Sequence, residues 1–126
     1  MPQIFVIASA PQFTANMLRG LGERLIPVVE NGFGIQGTRD TAFTAIKADT
    51  IIAEAGVQIE IRYTAGRDEY GQGRPFDPPL KTQQKLVDLI EKEFYSFLKE
   101  RGSLTCSLSV WCKPYYGGFF KLCKGA

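Results

Sequence analysis

The 126-residue chain contains no histidine. That absence removes the Ser-His and Cys-His dyads that usually activate a side-chain nucleophile. It also removes the commonest side-chain base near neutral pH. Cysteine is scarce: Cys106, Cys112 and Cys123 are the only three, and all lie in the last quarter of the chain. With no Cys-x-x-Cys pair and no histidine, the donor pattern of a zinc site is missing. Cys106 and Cys112 are expected on one strand, where six residues span roughly 20 Å, whereas a disulfide needs Cα atoms within about 7 Å. Reduced core thiols in a cytoplasmic protein are the expectation. An excess of one charge is lacking as well. The 15 basic and 13 acidic residues leave a formal charge of +2, too little to imply a nucleic-acid partner or an anionic membrane surface. No apolar run approaches the ~20 residues of a membrane-spanning helix, and the segment from Ile4 to Ala10 lacks the basic flank of a secretory signal. The length suits a single domain over 1–126 with one core.

What is present starts at the second residue. Met1-Pro2 precedes an apolar strand, Gln3–Ser9, with apolar residues on both faces. If Met1 is trimmed, the chain begins with a secondary amine at the mouth of a rigid element. An α-amino group titrates near neutrality, so such an amine can act as a general base where histidine cannot. Pro2 is therefore the candidate catalytic residue.

The pattern along the chain reads as strand–helix–strand twice. Met17, Leu18, Leu21, Leu25, Val28 and Val29 form an apolar stripe over a helix from about Thr14 to Glu30, with Thr14 as its N-cap. Gly20 and Gly22 weaken that helix, and Pro27 is expected to kink it or end it early. Asn31–Gly34 reads as a turn, and Arg39–Lys47 as the second strand. In the second block Val57, Ile59, Ile61 and Tyr63 alternate with Gln58, Glu60, Arg62 and Thr64. A long Gly- and Pro-rich loop, Gly66–Pro79, leads to the strongest helix, Lys81–Arg101, supported by an Asp88–Lys92 pair and ended by Gly102. A strand over Leu104–Lys113 follows. A Pro114–Gly118 turn then leads to a short apolar piece, Phe119–Leu122. Two β-α-β units in one small chain predict an α+β fold, a four-stranded sheet with both helices on one face. The bare sheet face and strand edges call for another copy of the chain.

Arginines supply the second chemical signal. Arg39 stands at the entry to the second strand and Arg67 just after the third, with Arg62 and Arg74 flanking that region. A guanidinium grips a carboxylate through two parallel hydrogen bonds, so arginines at strand ends suit a small acidic substrate. No cofactor is expected, because the Gly71-Gln72-Gly73 stretch neither follows a strand directly nor opens a helix, as a nucleotide cradle would.

Met1-Pro2, the apolar first strand, two β-α-β blocks, Gly37-Thr38-Arg39 and the Ala65-Gly66-Arg67 strand exit together resemble the tautomerase superfamily. Within it the chain is most similar to the 5-carboxymethyl-2-hydroxymuconate isomerase family, over nearly its whole length. The resemblance implies a homotrimer with its sheets around a central barrel and active sites near subunit boundaries. It implies Pro2 as general base and Arg39 and Arg67 as ligands of substrate carboxylates. The activity implied is a proton shift in a small unsaturated keto or enol acid. Phe119, Phe120, Tyr115, Tyr116 or Trp111 are candidates for an apolar wall around the amine. Decarboxylation or hydration on the same scaffold, and a non-catalytic oligomeric binding module, are the alternatives. An RNA-recognition domain shares the element order, but Val57–Tyr63 lacks the basic-Gly-aromatic signature and carries an acid.

Overall fold

The computed structural model describes residues 2–35, 41–48, 56–65, 78–102 and 106–116. Their elements run β1 (Gln3–Ala8), α1 (Ala15–Phe33), β2 (Ala42–Lys47), β3 (Val57–Ala65), α2 (Leu80–Glu100) and β4 (Leu108–Tyr116). The sheet order is β2-β1-β3-β4. β1 pairs with β2 in parallel and β3 with β4 in parallel, and the two units meet where β1 and β3 run antiparallel. Each parallel pair is joined through a helix, as a parallel connection requires.

Register fixes what each face carries. Ile4, Val6 and Ala8 of β1 and Val57, Ile59 and Ile61 of β3 are fully buried. They pack with Leu21, Leu25 and Val29 of α1 and Ile90, Phe94 and Phe97 of α2 in one continuous core. Both helices therefore cover the same face, and the α+β arrangement expected from the sequence is the one observed. α1 and α2 are also tied together at their surface, where Arg24 donates from Nε to Glu93 at 2.7 Å and also bonds Glu100.

The helix boundaries show which local signals win. Thr14 is the N-cap of α1, its hydroxyl accepting from the Met17 N–H at 3.2 Å. Pro27 does not end the helix, which continues to Phe33. Its ring is exposed, so the carbonyl one turn back that loses its N–H partner lies on the side open to water. Gly22 strengthens the packing: a Cβ there would sit 2.7 Å from the Phe43 ring, so only glycine admits β2 this close. α1 stops at Gly34, whose φ of 72° is the left-handed conformation that closes a helix, with the Ile35 N–H reaching back to the Glu30 carbonyl at 2.8 Å. α2 begins after Pro79 without a side-chain cap. Its Asp88 accepts from Gln84 at 3.2 Å instead of pairing with Lys92.

Two strands differ from expectation. β2 starts at Ala42, and Arg39 lies outside the described residues. β4 starts at Leu108 and continues through Pro114 to Tyr116, where the sequence reads as a turn. Proline is tolerated there because β4 is an edge strand, and an N–H on its outer side has no ladder partner to serve. Residues 117–126, with the apolar piece Phe119–Leu122 and Cys123, lie outside the described residues. Cys106 and Cys112 are free thiols, as expected. Among the described residues no helix is long and apolar enough to cross a membrane.

Candidate active site

Four strand ends converge at one end of the sheet. Gln3 stands beside Ala42 in the parallel β1–β2 ladder and opposite Arg62 in the antiparallel β1–β3 ladder. The start of β1, the start of β2 and the ends of β3 and β4 therefore share one rim. Continued by one residue, the register sets Pro2 between Thr41 on one side and Tyr63 on the other. Pro114 is paired with Tyr63 beyond.

Pro2 occupies the first position of this rim. It is buried, in phase with Ile4, Val6 and Ala8, and so belongs to the helix-covered face. Its carbonyl accepts from the Ala42 N–H at 3.2 Å, which anchors it to β2. The end of α1 reaches the same rim, where Phe33 meets the Tyr63 ring edge-on with centroids 5.3 Å apart. Tyr63 is 2% exposed. The Thr41 Oγ1 is buried with no hydrogen-bond partner among the described residues. The rim thus combines an anchored proline, two aromatic rings and one hydroxyl. Sequence reading missed Phe33, Tyr63 and Thr41 as site residues. The alternation puts Tyr63 on one face with Val57, Ile59 and Ile61, but only the strand register brings it beside Pro2.

The other expected residues fall differently. Arg39 and Arg67 lie outside the described residues, as do Arg74 and the Phe119 and Phe120 candidates for the wall. Trp111 does not wall Pro2. It pairs with Glu60, which pairs with Phe5, and this row lies on the sheet face opposite the helices. Trp111 is 52% exposed there.

Arg62, noted in the sequence as a flanking cation, is engaged on that same face, which neither described helix covers. It donates to Glu60 at 3.0 Å and lies over the Phe5 ring at 4.5 Å. Lys113 reaches the other Glu60 oxygen at 3.1 Å. Partial burial pushes the Glu60 carboxyl up, but hydrogen bonds from Arg62 and Lys113 outweigh that and hold it below the usual carboxylate range. This is an ionic cluster at the middle of a sheet face, not a substrate arginine waiting for a ligand.

The two described thiols offer no nucleophile. Burial pushes the Cys112 thiol up to about 11 and raises Cys106 as well, so both stay protonated at neutral pH. No cluster of three or more metal-binding side chains occurs among the described residues. Among the described residues two open clefts are lined by neither Pro2 nor Thr41, Phe33 or Tyr63. One, of about 400 Å³, runs between α1 and β2 past Leu18, Arg19, Phe43 and Lys47. The other, of about 500 Å³, runs between α2 and β4 past Leu80, Val87 and Cys112.

No family model matches the chain, and no curated protein does. Solved structures do. A fused 4-OT wild-type symmetric trimer superposes with a TM-score of 0.63 at 14% identity, over 98% of this chain and 94% of that one. The chain has the tautomerase-superfamily fold. A 5-carboxymethyl-2-hydroxymuconate delta-isomerase matches at TM-score 0.53 and 16% identity, over 100% of this chain and 89% of the other. The FG41 malonate semialdehyde decarboxylase inhibited by 3-bromopropiolate matches at 0.59 and 13%, covering 100% and 91%. At these identities the likeness establishes the tautomerase-superfamily fold, and the chemistry has to be argued from the rim itself.

Proposed function

We propose that this protein is a cofactor-independent isomerase of the tautomerase type, acting on a small unsaturated keto or enol carboxylic acid. Pro2, freed by removal of Met1, is its general base. The observation that carries this reading is the burial of Pro2 at the head of β1, on the helix-covered face, in a chain with no histidine. A secondary amine in water is too basic to be neutral at pH 7. Apolar surroundings disfavour its cation and lower its pKa, and each tenfold gain in the neutral fraction corresponds to about 1.4 kcal/mol. The neutral amine removes a proton from an enol oxygen or from the carbon beside a carbonyl, leaving a dienolate. The resulting ammonium returns the proton to another carbon of the conjugated system.

Arg39 and Arg67 bind the substrate carboxylates in this scheme and stabilise the dienolate charge. Chain connectivity favours them: Arg39 precedes the first residue of β2 by three positions, and Arg67 follows the last residue of β3 by two. Both strand ends belong to the rim that holds Pro2. A homo-oligomer, a trimer by analogy with the symmetric 4-OT assembly, would bury the bare sheet face and bring neighbouring rims together. Free, protonated thiols fit a cytoplasmic setting.

Decarboxylation is the second reading, favoured by the malonate semialdehyde decarboxylase match. There a protonated amine would polarise a carbonyl, so the two readings demand opposite charge states of Pro2. Aromatic surroundings favour the neutral amine and hence the isomerase. Intact mass establishes whether Met1 is absent. Enol-to-keto conversion of a small 2-hydroxydienoic acid, followed by ultraviolet absorbance, should fall at least a hundredfold in Pro2→Ala. Unchanged turnover would remove Pro2 from the mechanism, and carbon dioxide release from a β-keto acid would select the alternative.

A further inference from the structure

We infer that Thr41 and the Phe33–Tyr63 pair are the positioning residues of the Pro2 amine: the rings keep water from it, and the Thr41 hydroxyl fixes the direction of its lone pair. This rests on the reading of Pro2 as base.

A neutral secondary amine carries one N–H and one lone pair. If the N–H has no fixed acceptor, the lone pair points at substrate only part of the time. Thr41 supplies the missing acceptor. It adjoins Ala42, whose N–H holds the Pro2 carbonyl at 3.2 Å. Its Oγ1 is buried and has no partner among the described residues. A buried hydroxyl without a hydrogen bond costs about 1–3 kcal/mol, so a group at this position that accepts nothing is unfavourable unless a donor arrives. The amine created when Met1 is removed is such a donor, one strand away. With the N–H donating to Thr41 Oγ1, the lone pair is held away from β2.

The rings act on the charge of the amine. Tyr63 is 2% exposed and follows Arg62, which is paired with Gln3. Phe33 closes on Tyr63 from the end of α1. Two rings at the amine displace the water that would stabilise its cation, which lowers its pKa. The described titratable groups around this rim are few. β3 contributes the Tyr63 phenol on the Pro2 side. Arg62, Glu60 and, from β4, Lys113 form their cluster on the opposite face. α1 contributes Glu30, three residues before Phe33, and β2 carries its one charged side chain, Lys47, at the end of the strand away from Thr41.

Alkylation of Pro2 by 2-oxo-3-pentynoate, followed by peptide mass spectrometry, tests this without a substrate. The nitrogen lone pair forms a C–N bond as an alkyne π bond breaks, and the nitrogen's proton moves to carbon, so the adduct weighs protein plus reagent. Only the neutral amine reacts, so the rate against pH reports its charge. In Phe33→Ala water enters, the midpoint moves up, and alkylation below the midpoint slows by about tenfold. In Thr41→Val an acceptor that favours the cation is lost. Its midpoint moves down while the plateau rate falls several-fold, and Thr41→Ser restores both. Opposite displacements are the signature, since general loosening of the fold would move both variants alike. Circular dichroism confirms folding of each variant, and Phe33→Leu replaces Phe33→Ala if the latter unfolds, with a smaller displacement of the same sign. Equal midpoints in wild type, Thr41→Val and the Phe33 variant overturn the inference while leaving Pro2 as base. Absence of any Pro2 adduct in wild type lacking Met1 overturns the base and this inference together.

Discussion

The two faces of the sheet are built on different physics. The helix-covered face is a closed aliphatic and aromatic core, in which Ile4, Val6, Ile59 and Phe94 are wholly out of water. The bare face carries half-buried Phe5 and Ile7, exposed Ile46 and Trp111, and at its centre the Glu60–Arg62–Lys113 cluster. Burial of apolar area stabilises the first without reference to any partner. The second keeps too much apolar surface to be an ordinary solvated face and too many charges to be an ordinary core. That combination is characteristic of association surfaces, where charge pairs fix orientation and exposed rings supply area. Pro2 belongs to the covered face, so the proposed chemistry shares the dry side of the sheet with the core, and the proposed assembly uses the other side.

The sharpest way to break this contrast is by truncation. Phe94→Ala should cost about 3–5 kcal/mol, read from urea denaturation, and that cost should not depend on protein concentration. Phe5→Ala on the bare face should show a cost that grows with concentration, because it weakens association and mass action links the two. If both variants behave alike, the faces do not have separate roles.

Next in size is Pro2→Ala, with at least a hundredfold loss of proton transfer and a stability within about 1 kcal/mol of the parent, since alanine fills the buried position without a polar group. A large drop in the unfolding midpoint would mean that Pro2 serves packing and not chemistry.

The ionic cluster should show itself through acid. The folded Glu60 carboxyl lies below its usual range. Its contribution is therefore fully present above the ordinary carboxylate pKa near 4.3 and is lost as pH falls through the depressed folded value. Glu60→Gln should flatten the acid limb of a stability-versus-pH curve, and an unchanged limb would dismiss the cluster as a stabilising element.

The smallest effect is expected for Trp111→Ser, within about 0.5 kcal/mol for the isolated chain but with weaker self-association in sedimentation. Unchanged association would remove this ring from the interface.

Much of this was legible in the letters. The alternation of Val57, Ile59, Ile61 and Tyr63 against Gln58, Glu60 and Arg62 assigned both faces of β3, because side chains alternate across a strand. Thr14 announced the start of α1, because a hydroxyl before an apolar stripe satisfies a free helix N–H. Met1-Pro2 marked the base proposed for a chain without histidine. Other features could not be read locally. Pro27 looked like a stop and is tolerated only because its ring ends up on the wet side of α1. Gly22 looked like a weakness and is the position that lets Phe43 approach. Pro114 looked like a turn and is a strand residue because β4 lies at the sheet's edge.

The sequence by itself determined the two β-α-β units, the alternating faces of β3 and the identity of the one candidate base, since these follow from side-chain period and from which titratable groups exist at all. Only the tertiary structure decided that Thr41 and Tyr63 flank Pro2 on the neighbouring strands, with Phe33 packed on Tyr63, while Trp111 lies on the other face. Pro2 and Tyr63 are separated by 61 positions in the chain, and their placement side by side depends on ladder register, where a slip of one residue would send every side chain to the other face.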